Sequence, residues 1–263
     1  MKKRILSLVL AVLMIATLLP TPAFADETAT SGTCGENLTW TLVDGVLTIS
    51  GTGEMDDYDA WRPWNDYAEE PITNVNSIIV EEGVTSIGEE AFSSCTNLEQ
   101  VTLSSTVKSI GYFAFYDCPM LKSITIPAGV ESIANCAFSD CSSLTEIIVD
   151  ENNEQYVSVD GVLFSKDMTT LVAYPAGIKA EAYEIPSSVI DISAKAFAGC
   201  ENLKDITIPD GVENIGWSAF SRCMNLKSIV VPDSVKSIED IAFFECYSLE
   251  SITLPDTLTT IEN

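Results

Sequence analysis

Hydrophobic residues recur along this chain with a period of 23 residues. Each period starts with Val or Leu, Ile follows three places later, and a stretch such as Leu121-x-x-Ile124-x-Ile126 closes the period. Because the closing stretch alternates apolar and polar residues, it predicts a short β-strand with one buried and one exposed face. The periods start at Val84, Val107, Val130, Val189, Val212, Val235 and Leu258.

The segment between the Ile and the strand carries a second signature. An Ala-Phe pair, such as Ala91-Phe92 or Ala219-Phe220, precedes a Cys by three residues. We expect a short helical turn or tight loop here that packs back over the strand. One coil buries too few apolar side chains to offset the entropy of ordering its backbone, so the coils must stack. The predicted fold class is an α/β repeat: a solenoid with a parallel concave β-sheet.

Residues 26–74 precede the regular repeats, which we place at 75–263. Residues 34–54 alternate around Asp44-Gly45, a hairpin turn signal. They predict an N-terminal β-hairpin cap over the end of the stack. Four aromatic residues follow, which predict an aromatic cap on the first coil, the alternative being a ligand platform. They are Tyr58, Trp61, Trp64 and Tyr67.

One spacing is irregular. Val130 and Val189 are 59 residues apart, which is 36 more than one period. Asp160-Gly161 marks a hairpin in the extra sequence. We interpret residues 150–188 as an irregular coil of short strands that keeps the sheet continuous. The alternative is a protruding element that contacts a partner.

The first 25 residues have the pattern of a targeting segment. Three basic residues precede an apolar run from Ile5 to Leu19, and Ala23-Phe24-Ala25 fits a cleavage site. We predict a signal peptide over 1–25, cleavage after Ala25, and a secreted or cell-surface protein. The alternative is a retained anchor. No later stretch is apolar for long enough to span a bilayer, so we expect no stable membrane insertion after cleavage.

Composition narrows the chemistry. The chain has 13 basic and 39 acidic residues, and loss of Lys2, Lys3 and Arg4 would take its net charge from −26 to −29. This charge argues against nucleic-acid binding and suits cationic partners or solubility. The chain has no His, which removes the commonest general base and metal ligand. We therefore expect no enzyme, no cofactor and no metal site. The acidic runs at 56–59 and 150–154 do not match a calcium-binding EF-hand loop.

Eight Cys are present, and six recur at one coil position. A secreted chain with this many Cys invites a disulfide framework. The constant position favours a small buried slot filled by a free thiol instead, although bridges between neighbouring coils stay open as the alternative. Cys136 lies at a variable position, so we expect it to be exposed. The recurring residues are Cys95, Cys118, Cys141, Cys200, Cys223 and Cys246.

The exposed face of the strands is the candidate partner-binding surface. It is flat and rich in hydroxyl groups, and it lacks Arg, Tyr and Trp, so we expect weak binding. The alternative is that Thr is present because it suits β-strands. The candidate residues on the concave face are Gln100, Thr102, Ser123, Thr125, Glu146, Glu184, Asp205, Thr207, Ser228 and Thr253.

The repeat L-x-x-I-x-I-P-x-x-V-x-x-I-x-x-x-A-F-x-x-C resembles the BspA-like leucine-rich repeat of bacterial surface proteins. The resemblance covers Val75 to Ile261 in six full copies, and the segment from Thr33 to Trp40 is similar to the one that precedes such repeats. The resemblance implies a leucine-rich-repeat solenoid with a recognition or adhesion role and no shared catalytic residues.

We therefore expect a non-catalytic protein that binds a protein or glycan ligand, the identity of which the sequence does not give. The alternative is a structural spacer, or a self-assembling module of a larger surface protein. The final coil suggests how such a module would associate, because Leu254, Leu258 and Ile261 would lie on an open end.

Overall fold

The computed structural model describes residues 30–59, 62–64, 72–256, 258 and 260–261. The predicted signal peptide and its cleavage site lie outside these residues, as do Trp61 and Tyr67. The described residues form a β-solenoid, in which each coil contributes one strand to each of two ladders of mostly parallel strands.

Three antiparallel strands open the described chain: β1 (Thr30–Gly35), β2 (Leu38–Val43) and β3 (Val46–Gly51). The hairpin predicted around Asp44-Gly45 is present between β2 and β3. Both turn residues have positive φ (50° and 78°), as a two-residue hairpin turn of type I′ requires. Strand β3 then pairs in parallel with the first strand of the repeats.

The first ladder contains the strands predicted from the closing stretch of each period. Residues 23 positions apart pair side by side, as Ser123 does with Glu146 and Ser228 with Ser251. The period therefore sets the register. The strands are β4 (Ser77–Val80), β6 (Gln100–Thr102), β8 (Ser123–Ile126), β10 (Glu146–Val149), β14 (Ala182–Glu184), β16 (Asp205–Thr207), β18 (Ser228–Val230) and β20 (Ser251–Thr253).

The second ladder passes through the Ile that follows each period's start. Its strands are also parallel from coil to coil. They are β5 (Ser86–Ile87), β7 (Ser109–Ile110), β9 (Ser132–Ile133), β13 (Thr170–Ala173), β15 (Asp191–Ile192), β17 (Asn214–Ile215), β19 (Ser237–Ile238) and β21 (Thr260–Ile261).

The predicted interior is confirmed. Phe115 and Phe220 are fully buried, and Ile110 and Ile238 are 1% and 3% exposed. The Phe rings stack from coil to coil, with centroids of neighbouring rings 5.1 Å apart at Phe197 and Phe220. Apolar burial of these recurring rows is the main favourable term that holds the stack together.

The α component of the predicted fold class is not confirmed. In the described residues the Ala-Phe-x-x-Cys segment forms turns, and no helix is present. The backbone shows why: residues four apart, such as Glu90 and Ser94, both adopt positive φ (53° and 57°). An α-helix of L-residues requires negative φ at every position, so these residues interrupt it in each turn.

The irregular coil contains a hairpin of β11 (Tyr156–Val159) and β12 (Val162–Ser165), as the Asp160-Gly161 signal predicts. Through β13 it joins the second ladder. The prediction that it keeps the sheet continuous is wrong for both ladders. In the described part of the chain, β9 and β13 of the second ladder belong to different sheets and have no Cα pair within 8 Å, and the first ladder is interrupted in the same coil. Among the described strands, no Cα of β10 lies within 8 Å of a Cα of β14. The physical reason is that Gly161, at the hairpin tip, accepts the Ile147 N–H at 2.9 Å and so occupies the edge of β10.

Candidate functional site

The structure places the ten predicted site residues along one face of the first ladder. Nine are exposed, and Ser123 is half-buried. Alternation along each strand explains this placement, because the intervening residues, such as Ile124 and Ile229, are buried at 1% and 2% exposure. The face also carries exposed apolar side chains that break its hydroxyl-rich character: Ile79, Ile148 and Val230 are 37%, 42% and 62% exposed.

The gap between β10 and β14 divides the ten residues into two groups. The group before the gap is Gln100, Thr102, Ser123, Thr125 and Glu146, and the group after it is Glu184, Asp205, Thr207, Ser228 and Thr253. The acidic members Glu146 and Glu184 lie on the two strands that border the gap, and Asp205 lies on the next strand, β16. The centre of the ladder face is therefore both its most acidic and its least regular part.

The recurring thiols lie inside the coils, as predicted, and all eight Cys are free in the structure. The structure adds a contact that the sequence did not reveal. In most coils the thiol donates to the backbone carbonyl of the aromatic residue 26 positions earlier, as from Cys118 to Phe92 at 3.2 Å and from Cys223 to Phe197 at 3.2 Å. This hydrogen bond explains why the slot holds Cys rather than another small apolar residue.

The expectation that Cys136 is exposed is wrong, because it is 5% exposed. The irregular coil is shorter than the others at this level, so the turn of a later coil packs directly against Cys136. Its Sγ lies 3.8 Å from the Ala194 carbonyl oxygen. This burial raises the pKa of the Cys136 thiol to about 11, although a hydrogen bond with Tyr112 and the charge of Lys195 oppose the rise.

A charged and aromatic cluster lies beside this contact, and sequence reasoning missed it. The Asp140 carboxylate is 3.2 Å from Lys195 Nζ and 3.2 Å from Arg222 Nη1, across 55 and 82 residues of chain. The side chains of Asp140 and Lys195 are only 4% and 11% exposed. This cluster joins the coils before the hairpin to the coils after it.

Three aromatic rings surround the ammonium group of Lys195. Its Nζ is 4.7 Å from the ring centroid of Tyr116, 5.6 Å from Trp217 and 5.8 Å from Phe113. Rings at these distances attract a cation through their negative faces. Burial and the nearby Asp140 and Asp117 charges raise the pKa of Tyr116 to about 12. The sequence carried no clear signal of this site, because the coil position of Phe113 and Lys195 is variable and holds Glu90, Cys136, Ser218 and Ile241 in the other coils.

The other candidate sites carry less chemistry. Trp64 is 2% exposed and stacks on Phe92 with centroids 5.5 Å apart, so it has no free face for a ligand. Asp150 accepts hydrogen bonds from Asn152, its own turn neighbour, and these bonds lower the pKa of Asp150. In the described part of the chain, no group of three or more acidic or Cys side chains is arranged to hold a metal ion.

Comparison with known proteins agrees with this architecture. The model of the BspA type leucine rich repeat region matches the chain in six copies, over residues 66–172 and 173–263. No curated protein matches the chain. Within the residues that the structure describes, no helix is long and apolar enough to cross a membrane.

Several solved structures share the fold, and two of them have TM-scores above 0.5 over most of this chain. The pneumococcal vaccine antigen PcpA is 21% identical with a TM-score of 0.66, and the alignment covers 88% of this chain and 76% of PcpA. A leucine rich cell surface protein from Faecalibacterium prausnitzii A2-165 is 23% identical with a TM-score of 0.59, and the alignment covers 89% of this chain and 91% of that protein.

Proposed function

Because the chain belongs to the BspA-type leucine-rich repeat family, we propose that it is a non-catalytic recognition or adhesion protein that binds a protein or glycan. The observation that carries the proposal is the exposed face of the first ladder. Ten side chains from seven strands lie on it, nine of them exposed, and all ten can donate or accept hydrogen bonds. Such a face can make many modest contacts to a large ligand, without the deep pocket that a small substrate requires.

We place the protein outside the cell or on its surface. The predicted signal peptide over residues 1–25 supports this location. The name of the Faecalibacterium protein also describes a cell surface protein. N-terminal sequencing of the secreted protein tests both the location and the cleavage site. We expect a new N-terminus at Asp26. Retention of residues 1–25 in the mature protein would contradict the cleavage.

Large side chains placed on the exposed face of the first ladder test the binding proposal, because they would block contact with a ligand. Thr125→Trp and Thr207→Trp place large rings on the exposed side of β8 and β16, where strands tolerate aromatic residues. Ligand binding by the full chain and by both variants is compared on a glycan array and in pull-downs from extracts of cell-surface proteins. Thr73→Trp is the matched control, because Thr73 is exposed and lies outside both ladders. Binding that survives both ladder substitutions would overturn the proposal.

A structural module is the second candidate. The last described coils expose apolar side chains: Phe244, Tyr247 and Leu254 are 52%, 74% and 39% exposed. Burial of such side chains against a second copy would stabilise self-association. Sedimentation over a range of concentrations tests this candidate, with Phe244→Ser and Tyr247→Ser as variants that should return the protein to a monomer.

The antiparallel strands β1–β3 are proposed as the N-terminal cap. Two observations support this role. Strand β3 pairs with β4, and the side chains of Leu38 in β2 and Leu47 in β3 are buried, at 1% and 0% exposure. A solenoid needs such a cap to shield its first coil. A chain that lacks residues 30–51 should aggregate, and a soluble monomer of that chain would count against the role.

A further inference from the structure

The first ladder contains an unpaired strand edge. Strand β14 pairs with β16 on one side only, and no other described strand has a Cα within 8 Å of it. Elsewhere along this ladder neighbouring strands lie side by side. This includes β6 and β8, which come within 8 Å of each other although they belong to different hydrogen-bonded sheets. The gap is therefore specific to the position of the irregular coil.

The alternation of backbone groups shows which atoms face the gap. Asp205 N–H donates to the Glu181 carbonyl at 3.1 Å, and Ile185 N–H donates to the Thr207 carbonyl at 3.1 Å. Glu181 and Ile185 therefore direct their backbone groups to β16. In a parallel pair the intervening residues direct theirs to the opposite side. The N–H and C=O groups of Ala182 and Glu184 thus face the gap.

The side chains around the gap define the chemistry of a ligand. Glu146 on β10, Asp160 at the hairpin tip, and Glu184 on β14 are all exposed. Lys204, on the far side of β14, is engaged by Glu181 at 2.6 Å. Lys179 is the remaining basic residue on the segment that leads into β14. The surroundings of the edge are consequently acidic, and a cationic ligand complements them.

The gap also offers apolar surface. Ile148 and Val159 are 42% and 39% exposed, and both lie on strands that border it. Tyr183 points toward the core, where its ring lies 4.7 Å from that of Tyr174, yet it is only half-buried, and burial together with the charge of Asp160 raises its pKa. An extended segment placed beside β14 would cover this ring with one face and meet the carboxylates with the other.

We propose that the open edge of β14 binds an extended, cationic peptide segment of a partner protein by adding it as a strand. This mode of recognition uses main-chain hydrogen bonds for affinity and alternate side chains for specificity. It rests on the proposed recognition function and names the partner of that function. A second copy of this chain fits less well, because pairing of two β14 edges would bring the two Glu184 carboxylates together.

The experiment measures binding of a short peptide that alternates Lys with Thr and Val, end-capped and fluorescently labelled, to the full chain. Fluorescence anisotropy gives the affinity, and hydrogen exchange reports the amides of residues 182 and 184. Binding should slow exchange at both amides by at least about tenfold. The same peptide with N-methyl groups on alternate residues should not bind, because it lacks the N–H groups that pair with β14.

Variants of the chain test the two sources of affinity. Ala182→Pro removes an N–H that faces the gap, which an edge strand tolerates, and should weaken binding about fivefold. Ala182→Gly keeps the N–H and should leave the affinity close to that of the parent. Glu184→Gln should weaken binding about threefold in low salt, and less in high salt. Glu201→Gln is its charge-matched control, because Glu201 is exposed on the turn side of the coil.

Several results would overturn the inference. They are equal binding of the N-methylated peptide, equal binding of a peptide with Glu in place of Lys, unchanged exchange at residues 182 and 184, or a dimer that pairs through β14. The failure of the inference is distinguishable from that of the proposed function. Sensitivity to Thr125→Trp and Thr207→Trp without any effect of Ala182→Pro would remove only the edge site. An effect of Ala182→Pro without any effect of Thr125→Trp or Thr207→Trp would contradict only the binding role of the broader ladder face.

Discussion

Asn153 lies one 23-residue period after Val130 and donates its side-chain amide to the Val130 carbonyl oxygen at 2.9 Å. The same nitrogen reaches the Pro127 carbonyl at 2.9 Å, and Oδ1 accepts the N–H groups of Gln155 and Tyr156 at 2.9 and 2.8 Å. The residue is 1% exposed. One buried amide thus satisfies four backbone groups where the chain leaves its regular coil.

Replacement of this amide should destabilise the protein. Val fits the row that Asn153 occupies, but Asn153→Val would leave four backbone groups without their partner. Buried polar groups that lose a hydrogen bond each cost about 1–3 kcal/mol, and relaxation recovers part of the sum, so we expect a loss of about 2–4 kcal/mol. Urea unfolding followed by circular dichroism measures the difference in the free energy of unfolding.

Asn152→Ala is the control for that change, because Asn152 is the exposed neighbour and binds only Asp150 within its own turn. Its effect should stay within about 0.5 kcal/mol. An Asn153→Val variant as stable as the parent would show that the four contacts are replaced by water or by a shift of the chain.

Tyr174 places a buried hydroxyl without a hydrogen-bond partner in the aromatic stack of the described residues. Tyr174 occupies the coil position of the recurring Phe. Its backbone N–H donates to the Ala196 carbonyl oxygen, just as the Phe197 N–H donates to the Ala219 carbonyl oxygen. Its ring stacks on Phe197 with centroids 5.1 Å apart, and its buried oxygen has no hydrogen-bond partner in the described residues. Tyr174→Phe should therefore stabilise the protein by about 1 kcal/mol, seen as a higher urea midpoint at an unchanged slope.

The reverse substitution checks the reason. Phe197→Tyr adds a hydroxyl at a fully buried position of the same stack and should destabilise by about 1–3 kcal/mol. If Tyr174→Phe were destabilising instead, the hydroxyl would have a favourable partner, and the stack would not prefer Phe at this coil.

The regular coils were predictable because every level of the pattern agrees. Val84, Ile87 and Phe92 recur at fixed distances, and their burial follows from the requirement that each coil share its faces with its neighbours. The strand register follows as well, since pairing of residues 23 apart keeps each row of like side chains together. The Ala-Phe turn was predicted less well, because two left-handed residues per turn leave no clear signature at variable positions such as Glu90.

The irregular coil was not predictable in the same way. Asn153 keeps the 23-residue period, but its polar side chain in an apolar row does not by itself predict the four hydrogen bonds to the backbone. The approach of Lys195 to Asp140 depends on the turn being two residues shorter between Leu171 and Tyr174 than between Ile192 and Phe197. The candidate ladder face was located correctly on the strands, but the gap that divides it arises from the same unpredicted path.

Asp140 should be a determinant of stability, because it neutralises a cation that burial would otherwise penalise. Asp140→Ala would leave the Lys195 ammonium, 11% exposed, without its ion-pair partner, among aromatic rings and the more distant Asp117 carboxylate. Removal of one partner of a buried ion pair costs about 3–5 kcal/mol. Urea unfolding of the variant should show this loss, and the double variant Asp140→Ala with Lys195→Met should recover part of it.

The exposed pair Lys108–Glu131 provides the comparison, at 3.1 Å with side chains 52% and 69% exposed. Lys108→Ala should change the free energy of unfolding by at most about 1 kcal/mol. Equal effects of Asp140→Ala and Lys108→Ala would show that the buried cluster contributes no more than a surface pair.

The buried thiols should make the fold sensitive to alkali. Burial raises the pKa of Cys136 to about 11 and that of Cys246 to about 11, from 9.0. Each thiol therefore keeps its proton in the folded chain at a pH where the unfolded chain has released it. This contribution to stability is fully present below pH 9 and is lost as the pH rises from 9 through about 11.

The free energy of unfolding in urea, measured at several pH values across this window, should fall steadily with rising pH. The decline should begin below the ordinary Tyr pKa of 10.0 and should be shallower in Cys136→Ala. The same burial predicts that thiol reagents label the folded chain slowly below pH 9, because the thiolate is the nucleophile. A free energy of unfolding that stays constant up to pH 10, or rapid labelling of the native protein, would mean that water reaches the cysteine row.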